Sequence, residues 1–367
     1  MSIQSVAINT GGGDAPGLNA VIRAAVLAAI NRGWKCYGIR DGYQGILMPE
    51  LYPNDGGIIT LTKDRVRGIT HLGGTILGTT NRGNPLHYPV TQPDGSYIEI
   101  NRADEVLDKF RKHSIDALLA IGGDGSLTIA NAFVERGFPV VGVPKTIDND
   151  LFGTEVTFGF DSAVSFATEC IDRLHSTAES HHRVMVVEVM GRYAGWIALH
   201  AGVAGTADAI LIPEIPYSIE KIAEKVIERE RAGRYFSIIV VAEGAKPSDG
   251  NVSIIGKSIG QAERLGGAGE RVARQIEELT RKETRVVVLG HLLRGGTPTT
   301  FDRLLSLRFG TAAVRALAAG ETGVMVGLES SEIRCVPFSD VAGKMKDVPI
   351  NSDTVLTARD LGITFGD

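Results

Sequence analysis

Short apolar runs alternate with longer stretches in which apolar positions recur at helical spacing. Ser5–Asn9, Trp34–Ile39, Leu118–Ile121 and Val140–Val143 read as strands, and the continuous apolar character of Leu118–Ile121 predicts one buried on both faces. Pro16–Arg32, Ala103–His113 and Leu127–Arg136 read as the intervening helices, with Pro16 near a first helical turn. Alternation of this kind predicts a parallel sheet covered by helices. It restarts with a second sheet: helix Ser162–Ala178, strands Val184–Val189 and Ala209–Ile212, helix Ile219–Ala232, strand Ser237–Ala242, helix Gly269–Thr280 and strand Thr284–Leu289. Leu86–Asn101 reads as an inserted hairpin, and the polar, aperiodic Gly244–Gly267 as a mobile loop. Ala312–Asp367 adds a helix, an apolar strand at Gly323–Leu328 and a C-terminal tail.

A length of 367 residues suits two domains of ordinary size. With 43% hydrophobic and 22% charged residues the chain reads as soluble and globular. Against 43 acidic residues stand 38 Lys and Arg, so nucleic acid is not an expected partner. Cys36, Cys170 and Cys335 lack metal-ligand spacing and suit reduced thiols in the cytoplasm. The opening residues carry no basic signal-peptide segment, and Ala20–Ile30 is too short to span a bilayer, so no membrane role is expected.

The 45 glycines change the picture more, because many stand in pairs where predicted strands end. Gly122-Gly123-Asp124-Gly125-Ser126 follows one strand and opens a helix. Without Cβ atoms the backbone can approach a ligand, and the helix N–H groups favour an anion such as phosphate. Asp124 would repel that anion unless a divalent cation such as Mg²⁺ lay between them; alternatively the stretch is a tight turn capped by Asp124. Gly11–Gly17 repeats the arrangement, as neither a Walker loop nor a GxGxxG turn. Glycine and hydroxyl loops follow at Gly73–Thr75 and Thr79–Pro85. All fall at carboxyl ends of strands, where α/β sheets collect ligands.

Pro144-Lys145-Thr146-Ile147-Asp148-Asn149-Asp150 brings a lysine, a hydroxyl and two carboxylates together, suited to general-base work on an alcohol or to an Asx-type turn. Met190–Gly195 sets Arg192 near glycines, consistent with an anion contact or a surface ion pair. In Gly290–Gly296, with Arg285 upstream, His291 and Arg294 suit a phosphate better than a metal. The adjacent His181 and His182 are read as structural.

Taken together, GGGDAPGLNAVIR, GGDGS, PKTIDND, VVEVMGRYAG and ETRVVVLGHLLRGGTPTTFDR closely resemble the 6-phosphofructokinase family, in family order and spacing, from the first strand to at least Ala318. The resemblance implies two Rossmann-like three-layer α/β domains with mainly parallel sheets and the active site in the cleft between them. A donor domain would take residues 1–158 plus 293–345, and a fructose 6-phosphate domain residues 159–292 plus 346–367. It implies transfer of the terminal phosphoryl of ATP, with Mg²⁺, to the 1-hydroxyl of fructose 6-phosphate. Asp148 would be the base, supported by Asp150, with Thr146, Lys145, Arg192 and Gly13 at the moving phosphoryl. Gly12, Gly13, Tyr43, Arg82, Gly123, Asp124, Gly125 and Ser126 would hold the donor, Asp124 as the metal carboxylate. Fructose 6-phosphate would meet Thr146, Ile147, Asp148, Arg183, Met190, Gly191, Arg192, Glu243, Arg285, His291 and Arg294. Two of these arginine and histidine contacts would reach in from a neighbouring subunit, implying a homo-oligomer, a tetramer or dimer.

Donor choice rests on two positions. ATP-dependent bacterial relatives commonly have glycine at the position of Lys145, whereas pyrophosphate-dependent ones pair lysine there with aspartate at the position of Gly125. This chain combines Gly125 with Lys145, and the space at Gly125 favours ATP. The phosphate-bridging arginine of the family corresponds to Arg82 only after a one-residue slip. In the inter-subunit effector cluster of bacterial relatives, Arg23 and Arg234 persist while Leu27, Ala232 and Phe236 replace polar groups.

Overall fold

The computed structural model describes residues 3–80, 83–248, 250, 254–256 and 264–367. The chain forms two compact units: Met1–Thr146, Leu151–Gly159 and Arg294–Met345 in the first, and Ile147–Asp150, Phe160–Leu293 and Lys346–Asp367 in the second.

In chain order the first unit begins with β1 (Ser5–Thr10), α1 (Leu18–Ile30), β2 (Lys35–Ile39), α2 (Gln44–Leu47) and β3 (Ile58–Thr60). The hairpin of β4 (Tyr88–Thr91) and β5 (Tyr97–Ile100) follows, then α3 (Ala103–Lys112), β6 (Ala117–Gly122), α4 (Asp124–Glu135) and β7 (Val140–Pro144). β1 lies parallel to both β2 and β6, and β6 to β7. Alternation sends Val6, Ile8, Leu119 and Ile121 into a core shared with α1, and Ala7, Leu118 and Ala120 into one shared with α3 and α4. Both faces are buried, which is why these strands read as unbroken apolar runs. α4 begins at Asp124, three residues before the periodicity predicts, because Gly123 is its N-cap and Asp124 lies in its first turn. A carboxylate there suits the positive end of the helix dipole.

The second unit continues with α5 (Phe160–His181), β8 (Val184–Val189), α6 (Trp196–Ala204), β9 (Ala209–Leu211), α7 (Ile219–Arg231) and β10 (Ser237–Ala242). Then come β11 (Ile254–Gly256), β12 (Arg264–Leu265), α8 (Ala268–Thr280) and β13 (Thr284–Val288). Its main sheet is parallel, in the order β13-β8-β10-β9. Val184, Val186, Ile239 and Val241 pack with α7 and α8. α6 gives no amphipathic signal because Ile197, Ala198, Leu199, Ala201 and Gly202 are all buried. The expected loop Gly244–Gly267 contains the antiparallel pair β11–β12, and residues 249, 251–253 and 257–263 lie outside the described residues.

The chain then returns to the first unit with α9 (Thr300–Ala318), β14 (Val324–Glu329), β15 (Glu332–Pro337) and α10 (Phe338–Val341). These complete a seven-stranded sheet, β15-β14-β7-β6-β1-β2-β3, whose two edge strands run antiparallel to their neighbours. α9 packs closely on α1 at Gly310, where a Cβ would stand 2.6 Å from the Val21 carbonyl oxygen. α11 (Asp353–Asp360) belongs to the second unit, where Thr364 bridges Ala209.

Candidate active site

In the first unit, the parallel pairing of β1 with β6 sets two glycine turns side by side. Gly11 N–H donates to the Ile121 carbonyl at 3.0 Å. Gly12 has φ of 78°, a conformation that favours glycine. Thr79 Oγ1 donates to the Gly12 carbonyl at 2.6 Å, and Thr10 Oγ1 to that of Gly78 at 2.7 Å, so the 73–80 loop is laced onto the first turn. Ser126 is buried beneath both turns, and a Cβ at Gly11 or Gly122 would strike its hydroxyl.

Gly123, the N-cap of α4, brings no side-chain cap, and the first turn carries Asp124. The N–H groups and dipole of the helix make that end suited to a phosphate. Asp124 Oδ1 accepts the Gly343 N–H at 2.8 Å. A Cβ at Gly125 would meet nothing within 4 Å. Lys145 is 3% exposed, and its Nζ donates to the Gly13 carbonyl. Arg294 Nη1 donates to the Asp14 carbonyl at 3.1 Å, and its guanidinium occupies the space a side chain at Gly13 would need. Arg294, expected among the sugar-phosphate contacts, thus lies on the Gly13-Asp14 turn. Tyr43, expected at the donor, is a core residue with its ring edge-on to Phe133 at 5.5 Å. Arg82 lies outside the described residues.

Among the described residues no group of three or more His, Cys, Asp or Glu side chains is arranged to hold a metal. A single carboxylate beside an anion-binding helix end still fits Mg²⁺, which is held largely by substrate phosphates and water.

In the second unit the Ile147–Asp150 turn carries both candidate carboxylates. Asn149 sits at its centre, 3% exposed with φ of 52°. That left-handed conformation costs a non-glycine residue roughly 1–2 kcal/mol, and asparagine tolerates it better than most. Lys346 Nζ donates to Asn149 Oδ1 at 2.9 Å, and its main-chain N–H to the Asp150 carbonyl at 2.9 Å. Beyond β8 come Met190, Gly191 with φ of 133°, and Arg192, whose guanidinium lies 5.9 Å from the Tyr193 ring centroid. Gly244 N–H donates to the Gly191 carbonyl at 3.1 Å and Glu243 N–H to that of Val189 at 2.9 Å, so the ends of β8 and β10 are joined.

Arg183 pairs with Glu283 at 2.8 Å, and Arg285 pairs with the same carboxylate. The hydrogen bond from Arg183 chiefly holds the Glu283 carboxyl below its usual range. Two guanidinium groups thus share one carboxylate, the fork-to-carboxylate pairing that arginine favours. His291 is exposed in the 3-10 turn Gly290–Arg294. His181 ends α5, and the His182 ring meets Tyr235 edge-on at 5.4 Å.

Lys346 and Gly343 escape the sequence reading, which leaves them in a tail. Their link to the turn at 147–150 and to Asp124 is made through space and through main-chain groups that no spacing rule reports.

A family model described as phosphofructokinase matches residues 5–317. An ATP-dependent 6-phosphofructokinase of Chloroflexus aurantiacus is 52% identical, covering 99% of this chain and 98% of its own. A pyrophosphate–fructose 6-phosphate 1-phosphotransferase of Streptomyces coelicolor is 47% identical over 98% of this chain and 99% of its own. The phosphofructokinase of Pichia pastoris, in its T-state, superposes with a TM-score of 0.78 at 32% identity, covering 93% of this chain and 36% of that longer one.

Proposed function

The chain belongs to the phosphofructokinase family, and we propose that it phosphorylates the 1-hydroxyl of fructose 6-phosphate with ATP. The observation that carries this reading is the 52% identity, over nearly the whole of both chains, with an ATP-dependent 6-phosphofructokinase. The open space at Gly125 supports the donor, since a nucleotide needs room beside the N-terminus of α4.

Asp148 takes the proton of the 1-hydroxyl as its oxygen attacks the terminal phosphorus. The bond from that phosphorus to the bridging oxygen breaks, and ADP departs. Such transfers are governed by positioning and by neutralisation of charge. Asp150 supports Asp148, and Thr146, Lys145, Arg192 and the Gly13 amide would contact the transferring phosphoryl. The turns at Gly12-Gly13 and Gly123–Gly125 hold the polyphosphate. Asp124 would hold Mg²⁺, which supplies charge neutralisation on the phosphate oxygens. Arg183, Arg285 and His291 receive the 6-phosphate, where guanidinium forks match its oxygens. Met190, Gly191, Glu243 and Ile147 line the sugar side. Ser126 acts from below, by shaping the donor turns. Arg294 orients the Gly13 turn. Cytoplasmic location and a homo-oligomer, a dimer of dimers, complete the reading; no described helix is long and apolar enough to cross a membrane.

A pyrophosphate donor is the second reading, favoured by Lys145 and by the Streptomyces coelicolor relative. A coupled assay offering ATP, ADP and pyrophosphate in parallel separates the two. Turnover with ATP that exceeds turnover with pyrophosphate supports the proposal, and the reverse order overturns the donor.

A further inference from the structure

We infer that Lys346 is a positioning residue that sets the geometry of the Ile147–Asp150 turn; the inference rests on the proposed role of Asp148 as base. Three observations within the second unit converge on it. Its ammonium donates to Asn149 Oδ1 at 2.9 Å, at the one residue of the turn with a left-handed backbone. Its main-chain N–H donates to the Asp150 carbonyl at 2.9 Å, so the turn is gripped by side chain and backbone at successive residues. Its own carbonyl accepts the Trp196 Nε1–H at 2.8 Å, while its Nζ lies 5.5 Å from the Trp196 ring centroid.

The grip extends two residues on. Val348 N–H donates to Glu214 Oε1 at 2.9 Å, and the same carboxylate accepts the Gly195 N–H at 3.0 Å. Residues 346–348 are therefore tied at two points to the start of α6, which directly follows the stretch carrying Arg192. A residue held at positive φ keeps that conformation only where its surroundings over-determine it. Lys346 contributes to that determination for Asn149, and Asn149 stands between the two carboxylates. Misplacement of a general base by a fraction of an ångström costs rate without costing ground-state affinity. Lys346 touches neither reacting atoms nor substrate in this role.

Lys346→Met keeps an unbranched side chain against Trp196 and deletes the ammonium. It is expected to lower kcat at least about tenfold, with KM for fructose 6-phosphate and for ATP within about threefold of wild type. Lys346→Arg restores a cation and N–H donors, and is expected to recover most of that loss. Asn149→Gly removes the amide but accepts the positive φ, so it is expected to lose kcat by a similar factor. The double variant is expected to fall no further than about threefold below the worse single, because both changes break one contact.

A Lys346→Met enzyme within about twofold of wild-type kcat, an arginine no better than methionine, or losses that multiply in the double variant would each overturn the inference. If Lys346→Met does not accumulate folded, an Asn149→Gly enzyme with unchanged kcat overturns it equally. The role of Asp148 is measured separately through Asp148→Asn: high turnover there removes the base, whereas the coupling between Lys346 and Asn149 is read without reference to which carboxylate takes the proton.

Discussion

The Gly343 N–H donates to Asp124 Oδ1 at 2.8 Å, joining residues 219 positions apart. Gly343 adopts a positive φ of 73° just after α10, which turns the chain there. The bond fixes the orientation of the one carboxylate proposed to hold Mg²⁺. Asp124→Asn keeps an oxygen to accept that N–H but loses the charge. It is expected to melt close to wild type, to need at least about tenfold more Mg²⁺ for half-maximal rate, and to lose about a hundredfold in kcat. An unchanged Mg²⁺ requirement would remove Asp124 from the metal site.

Asp148→Asn is expected to leave the fold and fructose 6-phosphate binding in place while lowering kcat by about two to four orders of magnitude, the usual weight of a general base. Retention of more than roughly a tenth of wild-type kcat would assign the proton to another group.

Gly125→Asp places a carboxylate where the structure leaves open space, with no backbone strain to confuse the result. Repulsion of the nucleotide phosphates and loss of room act together. KM for ATP is expected to rise at least about tenfold, with residual activity shifting toward pyrophosphate, because Lys145 is already beneath the Gly13 turn. An unchanged KM for ATP would place donor choice elsewhere.

The strands and their glycine turns were legible because each is written locally. Val184–Val189 and Ser237–Ala242 have the bounds their apolar runs predict, and the turns at Gly11–Gly13 and Gly122–Gly125 stand where those runs end. What the sequence left dark was the third dimension of the site. The resemblance puts Tyr43 at the donor, and its ring packs in the core against Phe133. Arg294 donates to the Asp14 carbonyl, a contact between distant segments that its motif does not spell out. The contacts of Gly343 and Lys346 join distant segments, one through its main-chain N–H and the other through both its N–H and its ammonium. No periodicity carries such information, since every residue but proline has the same backbone N–H.

Glu105 offers a test of stability against pH. The Arg102 guanidinium grips it with two hydrogen bonds, at 2.7 and 2.8 Å, and Lys109 adds a contact at 2.9 Å. The Arg102 hydrogen bond is the main reason its carboxyl is held at about 2, below the 4.5 of a free glutamate. A depressed folded value means that the contribution is present above pH 4.5 and is lost as pH falls through that value toward about 2. The side chain is 39% exposed, so solvent screening keeps the contribution modest. Glu105→Gln is expected to lower the melting temperature at pH 7, with the gap to wild type narrowing steadily between pH 5 and pH 3. A gap that is constant over this range would show that the ion pair carries no linkage.

The family resemblance implies an effector cluster of arginines, lysines and a histidine for ADP or phosphoenolpyruvate between subunits, and here three of its polar positions are Leu27, Ala232 and Phe236. Phe236 is engaged locally: its ring meets His175 edge-on at 5.9 Å and lies 5.8 Å from the Arg229 guanidinium. Arg229 in turn pairs with Asp208 at 2.6 Å and donates to the Phe236 carbonyl at 3.3 Å, so the helix cation beside Phe236 is occupied within its own unit. The surviving Arg23 donates Nη1 to the Val66 carbonyl at 3.0 Å. Losing three charged or polar partners removes hydrogen bonds worth about 1.5–3 kcal/mol each when one member is ionised. Since about 1.4 kcal/mol is a factor of ten, affinity at this position is expected to fall by orders of magnitude. Fructose 6-phosphate saturation curves with and without millimolar phosphoenolpyruvate are therefore expected to superimpose. A large shift that Arg23→Ala abolishes would show that the site still works despite its lost polar groups, because only a ligand bound at that arginine is removed with it. A shift that survives Arg23→Ala would place the effector at a different surface.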